Sequence, residues 1–322
     1  MKAPKLLLAF ALLLLLFAAF LLTPWSGLSE LWAQDRDLTW AVLKELRLPR
    51  ALLALTYGAM LGAAGAAIQA LFANPLASPD LTGTTSGAAL GAVVTAYLLG
   101  FASPVAMSFG AVGGALGALL LLLLLAGPKA ETATLLLAGL AISALAGALT
   151  TLALALAPSP FAFYDAYEWL MGSLVDRSLS QAAFAGVPAL LAILLLLRLR
   201  APLDALTLGE DVAVSFGHDI RRLRVQVVSL TALGVGACVA ICGAIGFIGL
   251  VAPIFARRLT GGHPGRAMLP AAAIGGALLL AADLLVRAAP LGRSLPIGVV
   301  TALLGAPFFL WLVAHMRWRF ER

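Results

Sequence analysis

The residues of this 322-residue chain best suited to metal or nucleophilic chemistry are three histidines, His218, His263 and His315, and two cysteines, Cys238 and Cys242. None of the histidines belongs to an HExxH or other ligand-spaced cluster. The cysteines stand four apart inside an apolar segment, a setting that suits small packing residues better than a disulfide or a metal site. Ser86 and Ser143 have no histidine partner at membrane depth, which argues against an intramembrane serine protease. No GxxxxGK[ST] phosphate loop occurs, so any ATP used by this system is expected to be hydrolysed by another chain. These absences predict no catalytic residue and no metal site.

The remaining candidates for chemistry are charges inside apolar sequence. Asp283 and Arg287 lie one helical turn apart near one end of a long apolar stretch, which predicts a structural ion pair in preference to a proton relay. A pathway coupled to an ion gradient would need ionisable residues near mid-membrane, and the chain is poor in them.

The elements that must position such residues follow from composition. Hydrophobic residues make up 62% of the chain, charged residues 11%, and the mean hydropathy is +1.04, which marks a polytopic membrane protein. A span needs about 20 apolar residues to cross about 30 Å of hydrocarbon. Ten stretches approach that length, near 5–22, 47–71, 81–99, 104–126, 132–157, 182–199, 226–243, 245–260, 268–288 and 297–316. The first has the basic start and apolar run of a signal peptide but no small-x-small cleavage site, and it is read as the first membrane helix. The expected fold is an all-α bundle of ten membrane helices in one domain, residues 1–322.

Ten spans put both termini on one side. With the N-terminus inside, 14 of the 21 lysines and arginines fall in inner segments, which predicts cytoplasmic termini. The net charge of +6 therefore reads as a topology signal, with no nucleic-acid partner implied. Gly58 with Gly62, and Gly113 with Gly117, stand four apart and predict close helix contacts, because lipid gives no hydrophobic drive for helix association.

The longest inner loop, about 201–225, carries Leu206, Leu208, Val212 and Phe216 at roughly helical spacing opposite Glu210 and Asp211. Two short amphipathic helices broken at Gly209 and Gly217 are predicted. An acidic centre between basic flanks suits a protein partner better than a helix lying on the bilayer. Elsewhere, NPLASPD at residues 74–80 punctuates the chain between two apolar stretches with prolines that restrict their neighbours, and it reads as a packed turn at the inner membrane face.

RLPR at 47–50, QALFANPLASPDLTGTTSGAALG at 69–91, LTLGEDVAVSFGH at 206–218, GAIGFIGLVAP at 243–253, AADLLVR at 281–287 and LPIGVVTALLGAPFFLWLV at 295–313 together resemble the FecCD-type permeases. These are membrane subunits of binding-protein-dependent ABC importers for ferric siderophores, haem and cobalamin. The resemblance runs in order from about 47 to 316. It implies a type II importer permease in a prokaryotic inner (plasma) membrane, forming a homodimer with the substrate path along its axis. It further implies cytoplasmic ABC ATPase subunits that hold ATP and Mg, no cofactor on this chain, and a periplasmic or surface-anchored binding protein. The reading that competes with it is an ion-gradient-driven secondary transporter or channel.

Residue by residue, the resemblance assigns ATPase coupling to Leu206, Leu208, Gly209, Glu210, Val212 and Gly217, and binding-protein docking to Arg47, Arg50 and Arg287. It makes Thr132 and Ala133 candidates for the cytoplasmic gate, and Trp169, Met171 and Gly172 candidates for the outer vestibule. Trp169 and Tyr167 are equally explained as interfacial aromatic anchors. Two departures stand out. Ile254 follows Pro253 where many relatives have histidine, and Ser294, preceded by Arg293, stands where an acidic residue is common, which makes the outer mouth more basic. Among cargoes a ferric siderophore leads, with haem and cobalamin behind it.

Overall fold

The computed structural model describes residues 3–101, 103–127, 132–288 and 295–320, with side chains described between residues 11 and 311 except Trp25 and Ser26. Among them no strand occurs. Arg293 and Ser294, named above for the basic outer mouth, lie outside the described residues, as do Lys2, Lys129 and Arg322 of the inner charge count.

The chain opens with α1 (Ala3–Leu22), α2 (Trp25–Gln34) and α3 (Arg36–Ala41), and continues through a π-helical turn (Val42–Arg47) into α4 (Leu48–Leu71). A 3-10 turn, Pro79–Thr82, leads to α5 (Thr84–Tyr97), followed by α6 (Pro104–Ala126), α7 (Thr132–Ala155), α8 (Pro160–Leu170) and α9 (Leu179–Arg198). Two short helices, α10 (Arg200–Ala205) and α11 (Glu210–Ser215), precede α12 (Ile220–Cys242), α13 (Ile248–Leu259), α14 (Pro264–Ala288) and α15 (Ile297–Phe320). The starts obey local chemistry. Ser103, Ser159 and Asp219 each accept a backbone N–H of the first turn, and Ser178 with Gln181 forms a capping box.

Each of the ten apolar stretches is helical, but their lengths differ from the expectation. Among the described residues six helices are long and apolar enough to cross a bilayer outright, the largest being the continuous run Arg36–Leu71. α1 and α2 form a further bent pair. α13, with 12 residues, rises only about 18 Å, and α5, with 14, about 21 Å. Each is preceded by backbone outside any α-helix, 243–247 before α13 and 72–83, with its 3-10 turn, before α5. Such backbone is tolerated at membrane depth only where protein covers it, which hydropathy alone does not register.

α4 and α12 occupy the centre: 78% and 72% of their most apolar windows are buried, against 28% for α6 and α7. The sequence reason is small residues. A Cβ added at Gly58 would stand 2.3 Å from the Gly275 carbonyl oxygen, and one at Gly62 would stand 2.0 Å from that of Ala271, so α4 and α14 touch backbone to backbone. The same holds for Gly87 and Gly91 of α5 against Gly114 and Gly110 of α6. Gly113 and Gly117 depart from the prediction, since a Cβ added at either would meet nothing of another element within 4 Å. The glycines that pack are one turn-face away, at 110 and 114, because α6 turns that side toward α5.

Candidate functional site

At one end of the bundle two of the three arginines proposed for docking, Arg47 and Arg287, converge on the C-terminal end of α1. Arg47 donates to the Leu21 carbonyl (2.7 Å), and Arg287 donates to those of Phe20 (2.9 Å) and Thr23 while covering the Phe20 ring. Cations there complement carbonyls that the helix leaves unpaired. Arg50 is engaged differently: its Nε and Nη2 donate to the two carboxylate oxygens of Asp283, both at 2.8 Å. The expected pair of Asp283 with Arg287 is therefore corrected. Asp283, 1% exposed, faces α4 across the interface, while the longer Arg287 reaches out to α1. The best candidate for a proton relay is a bidentate structural partner.

At the other end, the predicted break at Gly209 is present, with φ of 104°, and Gly217 has φ of 84°. Between them α11 carries Glu210 and Val212, preceded by a 3-10 turn, Leu206–Leu208. Leu206 packs against the core and Ala213 is buried, while Leu208, Val212, Val214 and Phe216 are exposed. This apolar ridge sits beside a chain region rich in charge, where no hydrocarbon is expected to cover it. α10 is fastened by Asp204, whose Oδ1 accepts the Gly265 N–H at 2.7 Å at the start of α14.

α11 is fastened by Glu210. Its Oε1 accepts from Arg224 of α12 and from the Thr132 hydroxyl (3.4 Å) at the first residue of α7, and Arg224 also donates to that hydroxyl (3.1 Å). Two residues that sequence placed in separate roles, Thr132 at the gate and Glu210 in the coupling loop, thus meet through a third that it did not single out. Ala133, next to Thr132, is exposed.

The vestibule candidates divide. Trp169 lines a polar cavity of about 310 Å³ together with Asp165, Glu168, Ser173 and Arg177. Met171 and Gly172 are a joint between helices. Gly172, at φ of 79°, offers its carbonyl to the Ile297 N–H (3.1 Å), and a Cβ on Gly298 would come within 2.3 Å of the Met171 oxygen. Ser173 N–H adds a bond to the Cys242 carbonyl (2.8 Å), so α8, α12 and α15 are stitched together there. Both cysteines are free and buried. Sequence reasoning missed Tyr57, fully buried on α4, whose hydroxyl donates to the Gly243 carbonyl (3.1 Å) and accepts from the Ile245 N–H (3.3 Å). A lone phenol in a run of Ala, Gly and Leu was the available signal.

The NPLASPD turn packs inward as a small-residue corner. The Asp80 carboxylate accepts from Thr85 (2.9 Å) and lies 3.5 Å from the Ser78 hydroxyl, and the Asp80 carbonyl accepts from Ser143 of α7 (3.2 Å). Gly139 of α7 leaves only room for the Leu81 carbonyl, 1.9 Å from where a Cβ would stand.

The described residues form an all-helical bundle, six of whose helices are long and apolar enough to cross a membrane. Residues 6–315 match the model of the FecCD transport family, to which the chain belongs. It is 42% identical to the vitamin B12 import system permease protein BtuC of Vibrio cholerae, over 96% of this chain and 92% of that one. It is 38% identical to the Fe(3+) dicitrate transport system permease protein FecD of Escherichia coli, over 91% of each. A solved structure described as an inward-facing conformation of a metal-chelate type ABC transporter superposes with a TM-score of 0.85 at 32% identity, covering 97% of this chain and 99% of that one.

Proposed function

We propose that two copies of this chain form the translocation path of an ATP-driven importer for an iron chelate or corrinoid, a ferric siderophore foremost. ATP and Mg reside on a cytoplasmic ATPase pair, and a separate binding protein delivers the cargo. Ten membrane crossings with both termini in the cytoplasm of a prokaryote complete the reading, with α5 and α13 completed by covered backbone outside their helices. The thin cover of α7, which exposes Leu137, Leu145 and Leu152, suits a helix facing the second copy. Arg47, Arg50 and Arg287 form the basic outer rim on which an acidic binding protein docks. Asp283 holds Arg50 in place within it, and such rims act mainly on association rate and orientation.

The observation that carries the reading is the fastening of α11. The exposed Leu208, Val212 and Phe216 meet the ATPase, and Glu210, through Arg224, hands displacement of α11 to the first turn of α7 at Thr132 and Ala133. Arg224 is a positioning residue in this scheme. In proteoliposomes with both partners, Arg224→Gln lowers substrate transported per ATP hydrolysed by about five-fold, the scale of a coupling change near 1 kcal/mol. The exchange Glu210→Arg with Arg224→Glu restores part of it. A transport-to-hydrolysis ratio unchanged in Arg224→Gln contradicts the coupling role, whatever happens to yield.

A further inference from the structure

A cavity of about 310 Å³ opens between the C-terminal end of α6, the first turns of α7 and the start of α12. Its walls are Leu123, Leu124, Leu135 and Val225, and at its rim stand Arg221 and Arg224. Leu124 is 68% exposed and Val225 44%, so the apolar wall continues onto the outside of the bundle, a surface that belongs in hydrocarbon. The rim lies where α6 ends at Gly127 and where IRRLR begins α12, the level at which the membrane reading above puts the edge of the apolar layer. Arg221 and Arg224 are three apart and so share one side of α12, whereas Arg222 does not line the cavity. Among the described residues no acidic side chain lines it; Glu210 meets Arg224 from the α11 side. Among the described residues Arg221 makes no ion pair.

We infer that this cavity is a site for an anionic phospholipid, its phosphate held at Arg221 beside Arg224 and one acyl chain laid on Leu123, Leu124 and Val225. The charge at the rim selects the headgroup and the apolar wall selects a lipid over a free anion. The inference rests on the membrane reading above but not on its cargo.

The test measures retention of phosphatidylglycerol against phosphatidylcholine by the full chain in nanodiscs of mixed composition. The wild type is expected to enrich phosphatidylglycerol. Arg221→Gln lowers that enrichment about five-fold, in keeping with about one surface-cation interaction, and Arg222→Gln leaves it unchanged. Excess inorganic phosphate is expected not to displace the lipid. No enrichment in the wild type, equal loss in Arg221→Gln and Arg222→Gln, or displacement by inorganic phosphate would each overturn the site. None of these results bears on ATP-driven uptake, so a failure here is separable from a failure of the importer reading.

Discussion

Asp283→Leu destabilises the folded protein by about 3–5 kcal/mol, the usual consequence of removing one member of a buried ion pair. The pair is bidentate, with both contacts at 2.8 Å, and Arg50 keeps only 18% of its side chain exposed. Without the carboxylate, the Arg50 guanidinium loses its partner beside the cations of Arg47 and Arg287, both already occupied by backbone carbonyls of α1. Among the described residues Asp283 is the only carboxylate in ion-pair contact with these three arginines. The double variant Arg50→Leu with Asp283→Leu is expected to lose less than Asp283→Leu alone, because no uncompensated charge remains. Denaturant-induced unfolding in detergent measures both. A cost below about 1 kcal/mol for Asp283→Leu would place the pair among weak surface contacts.

Gly62→Val has an effect of similar or greater size, at least about 3 kcal/mol, and separates α4 from α14. The added Cβ would meet the Ala271 carbonyl oxygen at 2.0 Å and its carbon at 2.7 Å. Both are backbone, so no rotamer change relieves them and the helices must part, beyond the ordinary cost of overpacking. The contrast is Gly113→Val on α6, where an added Cβ would meet nothing of another element within 4 Å, and which is expected to leave stability within about 0.5 kcal/mol. Equal behaviour of the two variants would contradict the backbone-to-backbone packing of α4 on α14.

These two sites also mark where the sequence was legible. The helices, the turns at Gly209 and Gly217 and the close contact at Gly58 and Gly62 were readable because apolar runs, glycine and proline act locally. The partner of Asp283 was not. Arg287 lies on its own helix, but the true partner is 233 positions away and is chosen by how α14 lies on α4. Gly113 and Gly117 carried the same spacing as the packed pair, yet spacing names a face without saying which way it turns. The role of Arg224 was hidden for the same reason, since three chain segments meet there. Of the candidate site, the loop and its break were legible, and the polar contact joining Glu210 to Thr132 came only from the fold.

The central claim is tested most directly by uptake into proteoliposomes that hold this chain with its ATPase and binding protein, with and without internal ATP. The panel contains labelled ferric siderophores, ferric citrate, haem and cobalamin. The account predicts accumulation of one iron chelate or corrinoid only when ATP is present. Uptake that ignores ATP and follows an ion gradient would contradict it.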